Sequence, residues 1–123
     1  MTLRAFINCR LLDPKSGRDE LGTLLVEEGL IKDLGPNILT PKAAIITDCN
    51  GEILCPGIID MQSFATDGLS AAKGGITTAV LMPDFEPIIE NNISVEYVLQ
   101  KTNTIEPIKF KVFGAATKGL KGQ

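Results

Sequence analysis

The 123 residues of this chain are enough for one domain of ordinary size, and a content of 44% hydrophobic and 22% charged residues is typical of a globular protein. Twelve basic and fifteen acidic residues give a net charge of −3, and neither half has the basic excess of a nucleic-acid-binding surface. The chain contains no histidine, which excludes a Ser-His-Asp triad and every zinc site that uses imidazole.

Residues 1–55 predict a small, β-rich layer. Strands are predicted at residues 6–12, 23–26, 30–34, 44–48 and 52–55. Gly29 provides the positive φ that a tight turn between the second and third strands requires. Asn50-Gly51 predicts a hairpin between the last two strands, because both residues tolerate the left-handed backbone of such a turn.

After Pro56-Gly57 the hydrophobic period changes, and strands alternate with helices. Strands are predicted at residues 58–61, 76–82 and 108–113, and helices at residues 67–73 and 93–102. Gly74-Gly75 ends the first helix, and Asn92 is expected to cap the second. The buried stripe of the second helix is expected at Val95, Val98 and Leu99. The charged side chains of Lys109 and Lys111 do not fit well in a strand that is buried on both faces.

This alternation predicts an α/β fold with parallel strands. Residues 1–55 form the β-rich part, and residues 56–123 form a βαβαβ portion. Three strands do not close a (β/α)8 barrel, which needs eight. The chain is therefore expected to be a fragment, or an open piece that needs a partner to bury its apolar faces.

The cysteines and the termini give weaker signals. Cys9, Cys49 and Cys55 are odd in number and lack a C-x-x-C spacing, which favours three reduced thiols in a cytoplasmic protein. The sequence leaves open a disulfide between Cys9 and either of the others. No apolar run reaches the length of a membrane span, and no signal sequence is evident, so we expect no membrane association.

Six short motifs follow one another along the chain. They are Leu11-Leu12-Asp13-Pro14, Val26-Glu27-Glu28-Gly29-Leu30-Ile31, Pro56-Gly57-Ile58-Ile59-Asp60-Met61, Ala71-Ala72-Lys73-Gly74-Gly75-Ile76-Thr77-Thr78, Met82-Pro83-Asp84 with Pro87-Ile88-Ile89, and residues 115–122. Each is weak alone, but together and in this order they resemble the N-terminal part of a dihydroorotase, in the amidohydrolase superfamily. The resemblance implies a β-sandwich layer followed by the first strands of a (β/α)8 barrel.

The resemblance also implies a site in which this chain departs from the family pattern. Active members carry D-x-H-x-H-x-R after the first barrel strand, where the two histidines bind zinc and the arginine holds the substrate carboxylate. Gln62 and Phe64 occupy the histidine positions, and Thr66 occupies the arginine position. Asp84 stands where the family has a substrate-binding Asn, and its charge would repel a dicarboxylate. Asp60 is interpreted as structural, and no catalytic residue, metal ligand or cofactor is assigned.

A second departure is length, because the stretch between Met61 and Gly74 is shorter than the family pattern. Two weaker motifs are interpreted as solvated loops. Gly114 and Gly119 have a P-loop spacing but lack the Lys and Ser or Thr that should follow, and Asp84, Glu86 and Glu90 form an acidic group that could also suit a metal.

Two hypotheses follow. The resemblance implies a non-catalytic, dihydroorotase-like scaffold of pyrimidine biosynthesis that is a homo-oligomer or assembles with aspartate transcarbamoylase. The alternative is a metal-dependent amidohydrolase that hydrolyses a cyclic amide, with its ligands in a portion beyond this sequence. The absent H-x-H motif favours the scaffold.

Overall fold

The computed structural model describes residues 2–103 and 107–122, and they divide into two compact units between Pro56 and Gly57. The first unit is built of five strands, and the second of three strands and two α-helices. The strands are β1 (Leu3–Asp13), β2 (Arg18–Glu27), β3 (Leu30–Gly35), β4 (Ile45–Asp48), β5 (Ile53–Leu54), β6 (Ile58–Ser63), β7 (Ile76–Leu81) and β8 (Lys109–Val112). The helices are α1 (Gly68–Lys73) and α2 (Asn92–Asn103), and a 3-10 turn follows at Lys118–Leu120.

In the first unit, β1 is the strand on which the others assemble. It pairs antiparallel with β2, from Leu3 opposite Glu27 to Asp13 opposite Arg18, and β3 adds to the far side of β2. The turn between β2 and β3 has positive φ at Glu28 and Gly29, as the sequence predicted for Gly29. All five strands form one sheet, so the described residues 2–56 contain a single β layer.

The expected hairpin at Asn50-Gly51 is wrong. Both residues have positive φ, as such a turn requires, but β4 and β5 do not pair with each other. Both run parallel to β1, with Ile7 opposite Asp48 and Leu11 opposite Leu54. The reason is a bulge in β1 at Asn8, where φ is +55°. The turn at Asn50-Gly51, which lies between β4 and β5, accommodates this bulge. After the turn, β5 pairs with β1 again.

The second unit confirms the expected parallel sheet. Its strand order is β6-β7-β8, and both pairings are parallel. The core lies where β7 and β8 meet α2, and it consists of Ala79, Leu81, Ile89, Val98, Ile108 and Phe110. Lys109 and Lys111 are exposed while Phe110 is buried, so β8 is covered on one face and open on the other.

The helix ends confirm one predicted cap and correct another. Asp67 caps α1 through its carboxylate, which accepts a hydrogen bond from the Ser70 N–H at 3.0 Å, and Gly74 ends the helix. In α2 the cap is Asn91 and not Asn92, because the Asn91 side chain accepts the Ser94 N–H at 3.0 Å. The Ser94 hydroxyl in turn accepts the N–H groups of Glu90 and Asn91. The Val95 N–H also donates to the Asn91 carbonyl at 3.1 Å, which is the first hydrogen bond of the helix and makes Asn91 its cap.

Candidate functional site at the strand ends

The candidate site lies at the carboxyl ends of β6, β7 and β8. Parallel strands bring these ends to one edge of a sheet, which is where α/β proteins place their functional groups. Asp60 is opposite Ala79, and Ser63 is opposite Leu81, with a bulge between them in β6. The Met82 N–H donates to the Ser63 carbonyl at 3.0 Å, so the end of β6 is fixed to the beginning of the loop after β7.

The residues predicted to form the site lie in the second half of β6 and directly after it. Asp60 is half-buried, and its Oδ1 accepts a hydrogen bond from the Gln62 N–H at 3.0 Å. The side chains of Gln62 and Thr66 are exposed, and Phe64 retains 60% of its surface. This stretch therefore presents one carboxylate, one amide and one hydroxyl at the strand edge, with an aromatic ring between them.

The donor set does not fit a catalytic zinc ion. Such a site uses three protein ligands drawn from His, Cys or carboxylate side chains. Among the residues that the structure describes, no group of three His, Cys, Asp or Glu side chains is arranged to hold a metal. Phe64 has no donor atom, and the amide oxygen of Gln62 is a hard, weak ligand.

The acidic group after β7 is spread rather than convergent. Asp84 and Glu86 are exposed in the loop between β7 and α2. The Glu90 carboxylate accepts the backbone N–H of Gly119 at 2.5 Å. Glu86 and Glu90 line an open cavity of about 540 Å³ that also includes Tyr97 from α2. Because Glu90 binds Gly119, the acidic group connects the loop after β7 with the loop after β8.

The expected P-loop-like spacing at Gly114 and Gly119 does not form a phosphate cradle. Only the three-residue 3-10 turn Lys118–Leu120 follows β8 within the described residues. The Gly119 N–H donates instead to the Glu90 carboxylate, and the negative charge of this carboxylate would repel a phosphate from the same donor. The loop is instead tied down by the Ala115 N–H, which donates to the Ile89 carbonyl at 2.7 Å.

Comparison with known proteins identifies the family. No family model matches the sequence. A dihydroorotase from Anaplasma phagocytophilum is 34% identical over 93% of this chain, and one from Aquifex aeolicus is 38% identical over 94% of it. The chain belongs to the dihydroorotase family.

The solved structures show the same fold. An L-hydantoinase from Arthrobacter aurescens superposes with a TM-score of 0.82 over 97% of this chain, at 23% identity. A D-hydantoinase superposes with a TM-score of 0.73 over 95% of the chain, at 20% identity. The chain covers 29% and 28% of these two structures, so the mixed α/β arrangement corresponds to a part of each.

The chain also spans only 29% and 30% of the two dihydroorotases, and it lacks residues that they carry within the matched region. The match with the Aquifex protein extends over 128 positions, whereas 94% of the 123-residue chain is about 116 residues. About a dozen positions of the match therefore have no counterpart in this chain. None of the described helices has the length and apolar character needed to cross a membrane.

Proposed function

We propose that this protein is a dihydroorotase-like subunit of pyrimidine biosynthesis that has lost its catalytic metal site and serves as a scaffold. The observation that carries the proposal is the pair Gln62 and Phe64 at the end of β6. The family resemblance assigns these two positions to the zinc-binding histidines. Gln62 lies near the carboxyl end of β6 and Phe64 directly follows the strand, with one carboxylate, Asp60, two residues before Gln62, and this location supports the proposal.

The substrate positions support the same proposal. Thr66 replaces the arginine that the resemblance assigns to the substrate carboxylate, and its hydroxyl carries no charge. Asp84 replaces an asparagine, and an exposed carboxylate there repels an anionic substrate. Asp60 keeps a structural role, because its carboxylate holds the Gln62 backbone.

We further propose that the second unit is the first part of a (β/α)8 barrel and that the first unit is one layer of a sandwich. The exposed apolar residues of β6 support this proposal. Ile58, Ile59 and Met61 keep 57%, 59% and 58% of their surface exposed to solvent. Exposed apolar residues in a row along a parallel strand mark a surface that is covered in the assembled protein. A covering element from more of the chain, a second copy, or aspartate transcarbamoylase would bury it.

The alternative is an active amidohydrolase of which this chain is one portion. The observation in its favour is the span of the match, three tenths of each dihydroorotase, together with the dozen positions that this chain lacks. Missing ligands could lie in residues outside this sequence. The scaffold remains the better supported function, because the H-x-H positions lie inside the sequence and carry no histidine.

Histidine replacement tests the metal proposal. Zinc content is measured for the unmodified protein and for the double variant Gln62→His/Phe64→His. The matched control is Met61→His/Ser63→His, which places two histidines at the same spacing but one residue earlier in the chain. We expect zinc in the Gln62→His/Phe64→His variant alone, and little turnover of dihydroorotate, since Thr66 and Asp84 are unchanged. Equal zinc binding by the control variant, or zinc in the unmodified protein, would contradict the proposal.

Co-purification tests the scaffold. The protein and aspartate transcarbamoylase from the same organism are produced together, and the mass of the assembly is measured by light scattering. A stable complex whose carbamoyl-transfer activity differs from that of the free transcarbamoylase supports the scaffold. Two separately eluting proteins with unchanged transferase activity would refute it.

A further inference from the structure

Two of the three cysteines converge on one backbone oxygen in the first unit. The Cys9 thiol donates to the carbonyl oxygen of Ile7, with a sulfur-to-oxygen distance of 3.6 Å. The backbone N–H of Cys49 donates to the same oxygen at 2.9 Å. The distance between the Cys49 nitrogen and the Cys9 sulfur is therefore no larger than the sum of these two distances, although 39 residues lie between the two cysteines in the sequence.

The bulge of β1 and the turn after β4 hold this arrangement in place. The Gly51 N–H donates to the Asn8 carbonyl at 2.8 Å, and the Asn8 side chain donates to the Asp48 carboxylate at 3.0 Å. The left-handed φ values of Asn8 and Asn50 let both segments turn at the same level. Adjacent strands lie about 4.8 Å apart, and a disulfide spans Cα atoms roughly 4.4–6.8 Å apart, so neighbouring positions on two such segments suit the bond.

The two cysteines also differ in access to solvent. Cys9 is fully buried, Cys49 is half-buried, and Cys55 is exposed. Burial, and after it the neighbouring Cys49 thiol and the Asp48 carboxylate, raise the pKa of Cys9 to about 12. Cys9 is therefore inert toward reagents in solution, and a reagent reaches the pair through Cys49.

We propose that Cys9 and Cys49 form a redox-responsive pair that closes to an intrachain disulfide when the protein meets a small disulfide such as oxidised glutathione. The Cys49 thiolate attacks one sulfur of glutathione disulfide, forms a mixed disulfide and releases one glutathione thiolate. Cys9 then gives up its proton and attacks the Cys49 sulfur, and the second glutathione leaves as a thiolate that takes up a proton. The two cysteines are oxidised by two electrons, and one glutathione disulfide is reduced to two glutathione molecules.

The closed disulfide would fasten the bulge of β1 to the turn that connects β4 and β5. This turn joins β4, whose four residues are all exposed, to β5, which has only two residues. Both are edge elements held mainly by β1, so the disulfide would couple the least supported part of the first unit to its central strand.

The test is disulfide mapping of the whole protein after equilibration with oxidised glutathione. The protein is alkylated and digested, and the linked peptides are quantified by mass spectrometry. In the folded protein, we expect the Cys9–Cys49 linkage to exceed Cys49–Cys55 by about tenfold or more, since the fold brings Cys9 and Cys49 to the same carbonyl oxygen. In guanidinium the preference should reverse, because the unfolded chain closes the short loop between Cys49 and Cys55 more readily.

Two serine variants complete the design. Cys55→Ser is the matched control, and it should form the Cys9–Cys49 bond as the unmodified protein does. Oxidation should raise the melting temperature of the unmodified protein by several degrees. Cys49→Ser should form no intrachain disulfide, and its melting temperature should therefore not rise on oxidation. A glutathione adduct that stays on Cys49, a folded-state preference for Cys55, or equal pairing in the folded and unfolded chain would overturn the proposal.

Discussion

Replacing Gly57 by alanine should destabilise the second unit, because the start of β6 approaches β7 too closely for a side chain. A Cβ atom at Gly57 would lie 2.1 Å from Cγ2 and 2.3 Å from Oγ1 of Thr77. Rotation about the Thr77 χ1 bond leaves at least one heavy atom at these two positions, because threonine carries two substituents besides hydrogen. The Thr77 Cβ itself is 2.7 Å away, so the backbone has to move.

The magnitude follows from the required movement. Carbon atoms in contact lie about 3.5–4.0 Å apart, so β6 has to shift by roughly an ångström or more against β7. Inserting a methyl group into so tight a contact costs about 1–3 kcal/mol. For a unit of this size, each kcal/mol lowers the melting temperature by about 4–8 °C. Thermal and urea unfolding followed by circular dichroism measures both values.

A matched glycine and a double variant test the reasoning. The nearest atom to a Cβ at Gly74 is a carbonyl oxygen at 3.4 Å, and its φ of −83° suits alanine, so Gly74→Ala should change stability by less than about 0.5 kcal/mol. Thr77→Ala removes the two nearest atoms and should restore part of the loss in Gly57→Ala, with a coupling of at least about 0.5 kcal/mol. A Gly57→Ala protein as stable as the unmodified one would refute the close approach of the two strands.

Three further predictions concern the cap of each helix and the core. Asn91→Ala should destabilise the protein by about 1 kcal/mol in urea unfolding, whereas Asn92→Ala should be nearly neutral, because the structure assigns the α2 cap to the first asparagine. The hydrogen bonds from Ser70 lower the pKa of Asp67 below 3.8, so this carboxylate stabilises the fold above that pH, and the contribution is lost as the pH falls through the lower folded-state value. The stability difference between Asp67→Asn and the unmodified protein should therefore be present at pH 6 and disappear in acid, and a difference that does not change with pH would refute the assignment. Phe110→Ala should cost about 3–5 kcal/mol, because the ring is buried in the core of the second unit, and a change under 1 kcal/mol would contradict that placement.

The sequence predicted the second unit well because its signals are local. The β-branched run before Met82 and the glycine pair after Lys73 each specify one element on its own. Parallel pairing then follows from the alternation of strands and helices, and the structure confirms it.

The first unit was predicted less well because its topology depends on a residue without a strong signal. Asn50-Gly51 predicts a tight turn, and the turn exists. Whether the flanking strands pair with each other or with a third strand depends on the bulge at Asn8, and asparagine occurs both in bulges and in regular strands. The contact between Cys9 and Cys49 follows from that bulge, and for this reason the sequence left the cysteine pairing open.

The positions of the candidate site residues could be predicted, but their surroundings could not. The predicted strand at residues 58–61 placed Gln62 and Phe64 just beyond its end, whereas β6 extends to Ser63, so that Gln62 lies within the strand and Phe64 follows it. The hydrogen bond between Asp60 and the Gln62 backbone depends on the bulge in β6, which no sequence pattern signals. The hydrogen bond from the Gly119 N–H to the Glu90 carboxylate joins residues that are 29 positions apart, and no sequence pattern predicts it either.

The most direct test of the proposed function is the zinc content of the unmodified protein, measured together with its turnover of dihydroorotate. Both are measured on the protein purified in complex with aspartate transcarbamoylase, by elemental analysis and by a spectroscopic assay of ring opening. The account predicts far less than one zinc per chain at the end of β6 and no turnover above background, because Phe64 offers no donor atom and Gln62 only a weak one. One equivalent of zinc per chain together with hydrolysis of dihydroorotate would contradict it and establish the protein as an active amidohydrolase.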